Sequence, residues 1–431
     1  MIQADLLVHS AAQLLTVASP EGPKRGEEMG ELGIIEDGAV AIKDGRIAMV
    51  GKTEELQGQV EAEEQIDASG RVVMPGFVDP HTHVVFAGSR EGEFEQQIRG
   101  ATYMEIMARR GGVMNTVRAT REATLDELIA QSRKRLDTML AYGTTTAEVK
   151  TGYGLDIENE LKMLEAIRIL DRTHPMDLVP TFLGARAVPD EYAGRPGEYL
   201  DFVIEEMLPR VTKEEWRTIW EKEMPPHRSL FFCDVYCEEG LFTVEEARRL
   251  LTAAKDLGLG LKIHADEFSS IGGAALAAEL EVTSADHLVC TPPEEIELLA
   301  KTDTVAVLLP GTSFGLGRRA YANARAFISA GVPVALATDI NPGTCWCESM
   351  QFIIALACRQ MGMTPAEAIS AATINAAHAI ELGGEGGSLE VGKKADILIL
   401  DIPNYSHLAY RFGVNLVKTV IKGGKVVKRS A

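Results

Sequence analysis

Four of the nine histidines in this 431-residue chain stand at the ends of short apolar runs: His81 and His83, then His264, then His287. In an extended strand residues i and i+2 project to the same face, so Asp79-Pro80-His81-Thr82-His83 aims two imidazoles into one space. That pair alone reads equally well as a strand with two hydrogen-bonded histidines. A third imidazole in His264-Ala265-Asp266-Glu267 and an acid in Thr338-Asp339, both at the ends of other runs, turn it into a ligand set: His81, His83, His264 and Asp339. Three nitrogens and one oxygen suit zinc or iron and are too nitrogen-rich for magnesium or calcium, so the expectation is one Zn²⁺ or Fe²⁺/Fe³⁺ per chain. Such an ion lowers the pKa of a bound water from about 15.7 toward 7, which is the chemistry of a hydrolase. Glu267 and the second oxygen of Asp339 are placed to take the proton of that water, and His287 to hold the water or a developing oxyanion.

Around this set stand groups that suit an anionic substrate. Arg90, Tyr103, Tyr153 and Arg186 each follow an apolar run or lie in the long first loop, and arginine forks bind carboxylates through two parallel hydrogen bonds. Asn341-Pro342-Gly343-Thr344, directly after Asp339, adds backbone groups and an amide, although the same residues read as a plain turn. Lys150 reads as a charged residue in a strand-end network in preference to a modified ligand bridging two metals. His9, His174, His227, His378 and His407 fall in loops or helices away from the set. Cys345/Cys347 and Cys233/Cys237 are close in sequence but have no second pair at zinc-finger spacing, so they read as small thiols in a reducing compartment.

These residues need a scaffold that brings distant strand ends together. Between about residue 72 and residue 342 a β-branched apolar run, a few polar residues and a stretch of helical period keep recurring. The runs are Gly76–Phe86, Thr144–Lys150, Leu178–Gly184, Phe231–Cys237, Leu259–Asp266, Glu281–Val289, Thr304–Leu309 and Val332–Thr338. Eight such units in series predict an α/β fold with a closed (β/α)8 barrel, whose site lies at the C-terminal ends of its strands. An open doubly wound sheet is the other topology, but no G-x-G-x-x-G follows the first run. The segment Ala87–Gly143 is long, is split by Gly111-Gly112 and ends in an amphipathic helix near Thr124–Tyr142. Asp37-Gly38, Asp44-Gly45 and Gly423-Gly424 mark hairpins at the two ends of the chain. Two short sheets, one from each end, are each too small to stand alone and are expected to pack as one composite β-sandwich. The expected division is therefore residues 1–72 with 385–431 as that β domain, and residues 73–384 as the barrel.

The composition narrows the partner. Sixty-three acidic against 43 basic residues leave a net charge of −20, which disfavours a grip on nucleic acid or anionic lipid and favours a small molecule. No apolar run reaches the ~18 residues a membrane span needs. Leu6–Val17 reads as strand and turn, since no basic lead precedes it and His9 and Gln13 interrupt it, so a cytoplasmic protein is expected. Six cysteines in a chain of this length form no disulfide framework.

Pro75 through His83, Ala337-Thr338-Asp339 and Gly387–Asp396 resemble the amidohydrolase superfamily. Phe86 through Phe94, Thr116 through Arg121, Glu148 through Tyr153, Lys262 through Glu267, Ser284 through His287 and Ala337 through Thr344 resemble, within it, the imidazolonepropionases. The resemblance covers nearly the whole chain. It implies metal-dependent opening of the ring amide of 4-imidazolone-5-propanoate to N-formimino-L-glutamate, a step of histidine degradation, by a cytoplasmic homodimer. It implies metal ligation by His81, His83, His264 and Asp339, with His287 near the water. Substrate contact would fall to Arg90, Tyr153, Glu267, Asn341, Gly343 and Thr344.

Two departures stand out. Leu183-Gly184-Ala185-Arg186-Ala187 carries arginine where the family has histidine, and an always-charged fork cannot act as a neutral acceptor. Arg110-Gly111-Gly112 has two glycines where three are expected. Two other activities fit the same ligands: deamination of a heterocyclic base, and opening of another carboxylate-bearing cyclic amide. A catalytically silent barrel serving as a binding protein is the reading from a different class.

Overall fold

The structure is a computed structural model, and residues 2–100, 111–212 and 232–429 are described. Eight parallel strands form one sheet in chain order: β1 (Phe77–Asp79), β2 (Thr144–Lys150), β3 (Asp177–Ala185), β4 (Phe232–Cys237), β5 (Gly260–Ala265), β6 (Ser284–His287), β7 (Val305–Leu308) and β8 (Val334–Leu336). Helices cover the outer face, so every residue of β2, β6, β7 and β8 is buried and the strands read as continuous rather than alternating runs. Past the ends of β1 and β8 the ring is completed by backbone bonds, Asp339 N–H to the His81 carbonyl at 3.1 Å and His83 N–H to the Ile340 carbonyl at 2.9 Å. The expected barrel and its eight runs are found.

The runs are longer in sequence than the strands. β1 stops at Asp79 instead of reaching Phe86, because Pro80 has no N–H to continue the ladder. The following segment is held by other means: Lys150 N–H donates to the Thr82 carbonyl at 2.9 Å, and Thr82 Oγ1 donates to the Glu148 carbonyl at 2.6 Å. His81 and His83 therefore project from a clamped segment past the strand, not from two positions of one ladder. β6 ends where His287 and Leu288 turn to φ of 80° and 56°, and Asp339 lies just past β8 with φ of 54°.

The long first loop folds into helices at Glu91–Ile98, Val113–Glu122 and Leu125–Ala141, the last opened by a capping box between Thr124 and Glu127. The chain ends build two further sheets. Ile2–Ala11 lies central in a four-stranded sheet with the Gly38–Lys43/Arg46–Lys52 hairpin, which turns at Asp44-Gly45 with both φ positive, and with Val60–Asp67. The second sheet has six strands, in the order Lys425–Arg429, Val417–Lys422, Ile397–Leu400, Val72–Pro75, Gln13–Leu15, Ile34–Ile35. Expectation and structure differ here: the ends do not make one sheet each, but share the six-stranded one, where Ile397 faces Pro75 and Leu400 faces Val72. Leu6, Val8, Val40 and Ile42 of one sheet pack against Val73, Ile397, Ile399 and Ile421 of the other. No described helix is long and apolar enough to cross a membrane.

Candidate active site

The parallel register places Tyr236, His264 and Asp286 in one row across β4, β5 and β6, and Ala265 opposite His287. The clamped segment after β1 brings His81 and His83 to the same place, and the residues after β8 bring Asp339. All five histidine and aspartate side chains of this group, His81, His83, His264, His287 and Asp339, are buried. The ligand atoms of His81, His83 and His264 lie within 4.8 Å of one another. Asp339 Oδ1 stands 3.5 Å from Nε2 of both His81 and His83.

The cluster has the character of a cation site. Nε2 of His81, Nε2 of His264 and Oδ1 of Asp339 are buried polar atoms with no hydrogen-bond partner among the described residues, and they lie close together. Leaving such atoms unpaired costs about 1–3 kcal/mol each, a cost that a metal ion would offset. Their other atoms are fixed: His81 Nδ1 lies 2.6 Å from Asp286 Oδ2, His264 Nδ1 3.0 Å from Asp234 Oδ2, and the Thr312 hydroxyl donates to Asp339 Oδ2. Carboxylates on Nδ1 hold each imidazole in the tautomer whose Nε2 lone pair points inward. Burial, aided by the nearby Lys150 ammonium at His81 and by the Arg186 guanidinium at His83, keeps both imidazoles neutral well below the ordinary histidine range. Burial also lowers His264, against the pull of Asp234. Neutral imidazole is the form that binds metal.

Beside this cluster lies proton-handling chemistry. Glu267 Oε2 is 3.5 Å from His287 Nε2 and accepts the Tyr236 hydroxyl. Burial raises the carboxyl groups of Glu267 and Asp339 above the usual range, which makes each carboxylate a stronger base. Arg186 is close-packed here: its Nη1 lies 2.9 Å from His83 Nε2, and its guanidinium sits 4.8 Å over the Tyr153 ring.

Arg90 is held by Glu93, Nε to Oε2 at 2.8 Å, and Glu93 also accepts from the Gly112 N–H at 3.1 Å and from Asn115 at 3.2 Å. Its guanidinium lies over Gly343, where a Cβ would fall 2.2 Å from Nη1. Asn341 is committed to its own loop. Its Oδ1 accepts the N–H groups of Gly343 and Thr344, each at 2.8 Å, and its Nδ2 donates to the Asp339 carbonyl at 2.7 Å and to Thr344 Oγ1 at 2.9 Å. This is the plain-turn role, and it positions Gly343 against Arg90. Tyr103, Arg110 and His227 lie outside the described residues.

Sequence reasoning missed Asp234, Asp286, Tyr236, Thr312 and Glu93. The first three carried a usable signal, since Asp234 and Tyr236 share a face of β4 and Asp286 precedes His287 on β6. Lys150 joins the two aspartates from below, as the strand-end reading expected.

The amidohydrolase family matches residues 72–427. A curated imidazolonepropionase of Herpetosiphon aurantiacus is 49% identical over 431 residues, covering 100% of this chain and 99% of that one. Another, from Geobacillus kaustophilus, is 51% identical over 427 residues, 98% of this chain and 97% of that one. Among solved structures, a guanine deaminase of E. coli aligns with a TM-score of 0.72 at 17% identity over 99% of both chains. A zinc-bound adenosine deaminase of Xanthomonas campestris aligns with a TM-score of 0.69 at 20% identity over 98% of this chain and 93% of that one. The likeness to these two deaminases is one of fold.

Proposed function

Because the chain belongs to the amidohydrolase family, and within it to the imidazolonepropionases, we propose that it hydrolyses the ring amide of 4-imidazolone-5-propanoate to N-formimino-L-glutamate, a step of histidine degradation. Full-length identity near one half to imidazolonepropionases carries this reading. In balance, water adds its oxygen to the ring carbonyl carbon, the carbon–nitrogen bond breaks, and the released nitrogen takes a proton.

His81, His83, His264 and Asp339 would hold one metal ion, and their three-nitrogen, one-oxygen character suits Zn²⁺ or Fe²⁺. When bound, that ion supplies Lewis acidity to water and carbonyl. The protein's own groups do the rest. Glu267, made more basic by burial and oriented by Tyr236, takes a proton from water or receives a ring N–H. His287, whose Nε2 stands 3.5 Å from Glu267 Oε2, donates toward the oxygen that becomes negative. Asp339 keeps a second oxygen for the proton, shared with the Thr312 hydroxyl. Arg90, braced by Glu93 and seated over Gly343, receives the propanoate carboxylate, with Tyr153 and Arg186 bordering the ring. Tyr103, Asn341 and Thr344 complete the substrate set, the latter two by shaping the Gly343 turn. All six cysteines are free thiols, consistent with a cytoplasmic enzyme, and a homodimer is the expected assembly.

The test offers the metal-loaded protein the imidazolone and a panel of amino-heterocycles. Loss of imidazolone absorbance with formation of N-formimino-L-glutamate is expected; ammonia release from a heterocycle without imidazolone turnover would replace this reading by deamination.

A further inference from the structure

Under the four metal-facing side chains the barrel holds a buried charge cluster for which the reaction has no direct use. Lys150, the last residue of β2, has its Nζ 2.7 Å from Asp234 Oδ2, 2.8 Å from Glu148 Oε1 and 3.4 Å from Asp286 Oδ2, and all four side chains are fully buried. Asp234 and Asp286 are the carboxylates that hold Nδ1 of His264 and of His81. One ammonium thus joins two carboxylate–imidazole pairs drawn from β4 with β5 and from β6 with the segment after β1. The same residue grips that segment through its main chain, donating its N–H to the carbonyl of Thr82, which stands between His81 and His83.

An ammonium has three donors and no acceptor; here Nζ donates to Glu148 Oε1 and Asp234 Oδ2 and pairs electrostatically with Asp286. Without the cation the three acids would face one another at short range with little water to screen them. They would move apart and carry the two imidazoles with them. Lys262, the other buried lysine of this interior, does not fill that role: it donates to Ser284 Oγ at 2.8 Å and to the Ala379 carbonyl at 3.0 Å.

We propose that Lys150 is a positioning residue for the metal centre: by bridging Asp234 and Asp286 it turns Nε2 of His81 and of His264 onto one point, touching neither metal nor substrate. The inference rests on the metal assignment proposed above.

The test reads metal binding and histidine geometry rather than turnover. Full-length protein stripped of metal is titrated with Zn²⁺ against a chromophoric chelator. Lys150→Met is expected to weaken zinc binding by about 10–100-fold, the usual effect of losing an outer partner, and Lys150→Arg to stay close to the parent. A Lys150→Met protein that melts at lower temperature but binds zinc as the parent does would overturn the proposal, leaving Lys150 a purely structural charge. If that variant does not fold, Asp234→Asn decides. The bridge requires that the ¹⁵N resonances of zinc-loaded protein move at His81, which Asp234 does not touch, as well as at His264, while His83 stays. Movement at His264 alone would overturn it. A parent protein that binds no zinc, or a His264→Ala variant that binds it equally well, would instead remove the metal assignment.

Discussion

A Cβ placed on Gly343 would fall 2.2 Å from Nη1 of Arg90, so the guanidinium rests on bare backbone. Gly343→Ala should push this guanidinium out of the position that receives the substrate carboxylate. A charge-assisted hydrogen bond is worth roughly 1.5–3 kcal/mol, so KM should rise on the order of 10- to 100-fold while kcat changes little. Steady-state kinetics check this; an unchanged KM would mean that Arg90 does not meet substrate.

Metal removal should abolish turnover, and adding Zn²⁺ or Fe²⁺ should restore it. Asp339→Asn keeps the shape of the side chain but loses the charge facing His81 and His83, so the purified variant should carry clearly less than one metal per chain by elemental analysis. Full metal content with full activity would exclude Asp339 from the centre.

Glu267→Gln removes a proton acceptor that burial has made more basic, and leaves a group that the Tyr236 hydroxyl can still reach. The expected fall in kcat is about 10²–10⁴-fold with metal content intact, the range for loss of a general base. Tyr236→Phe should lower kcat less, since it only frees the carboxylate to rotate.

Arg186→His should leave metal content unchanged and raise KM on the order of tenfold through loss of a fixed charge beside Tyr153. A KM identical to the parent for every carboxylate substrate would show that Arg186 serves packing alone.

Far from the site, burial lowers His378 from 6.5 to about 4, with Lys393 adding to the effect, and its ring lies where a Cβ on Gly383 would stand, 2.3 Å from Cε1. Between those pH values the unfolded chain binds a proton that the folded chain does not. The contribution is therefore complete above pH 6.5 and is lost as pH falls toward 4, a swing of roughly 3 kcal/mol. Denaturant titrations of His378→Gln should show a flatter acid limb than the parent; superimposable curves would count against this.

The sequence carried the barrel because β7 and β8 are apolar throughout, the mark of strands covered on both faces, and the helical stretches between the runs have a different period. It carried His81, His83, His264 and Asp339 because imidazoles are rare and stand at run ends. The partners of these residues were harder to see. Aspartates, threonines and tyrosines are common, and whether Asp234 meets His264 or Thr312 meets Asp339 depends on register between strands. Asn341 illustrates the opposite difficulty: a polar residue beside a metal-facing acid reads as a ligand-binding amide, while its hydrogen bonds are spent within its own turn. The extent of β1 was overread because Asp79 through Phe86 has the residues of a strand, whereas past Asp79 the segment is held by hydrogen bonds that no strand pattern encodes.

In the six-stranded sheet Ile397–Leu400 lies between Val72–Pro75 and Val417–Lys422, so the whole barrel is a loop inserted between two neighbouring strands. Closing a loop of that length is slow, since pairing is rewarded only after distant segments have met. During synthesis Val72–Pro75 leaves the ribosome before any of the barrel and keeps an open edge until residues 397–400 follow. Unpaired edges invite association between nascent chains. Until that pairing closes, the strand Val72–Pro75 offers its free edge to any chain nearby, a hazard of the route to the fold that no contact of the finished structure records.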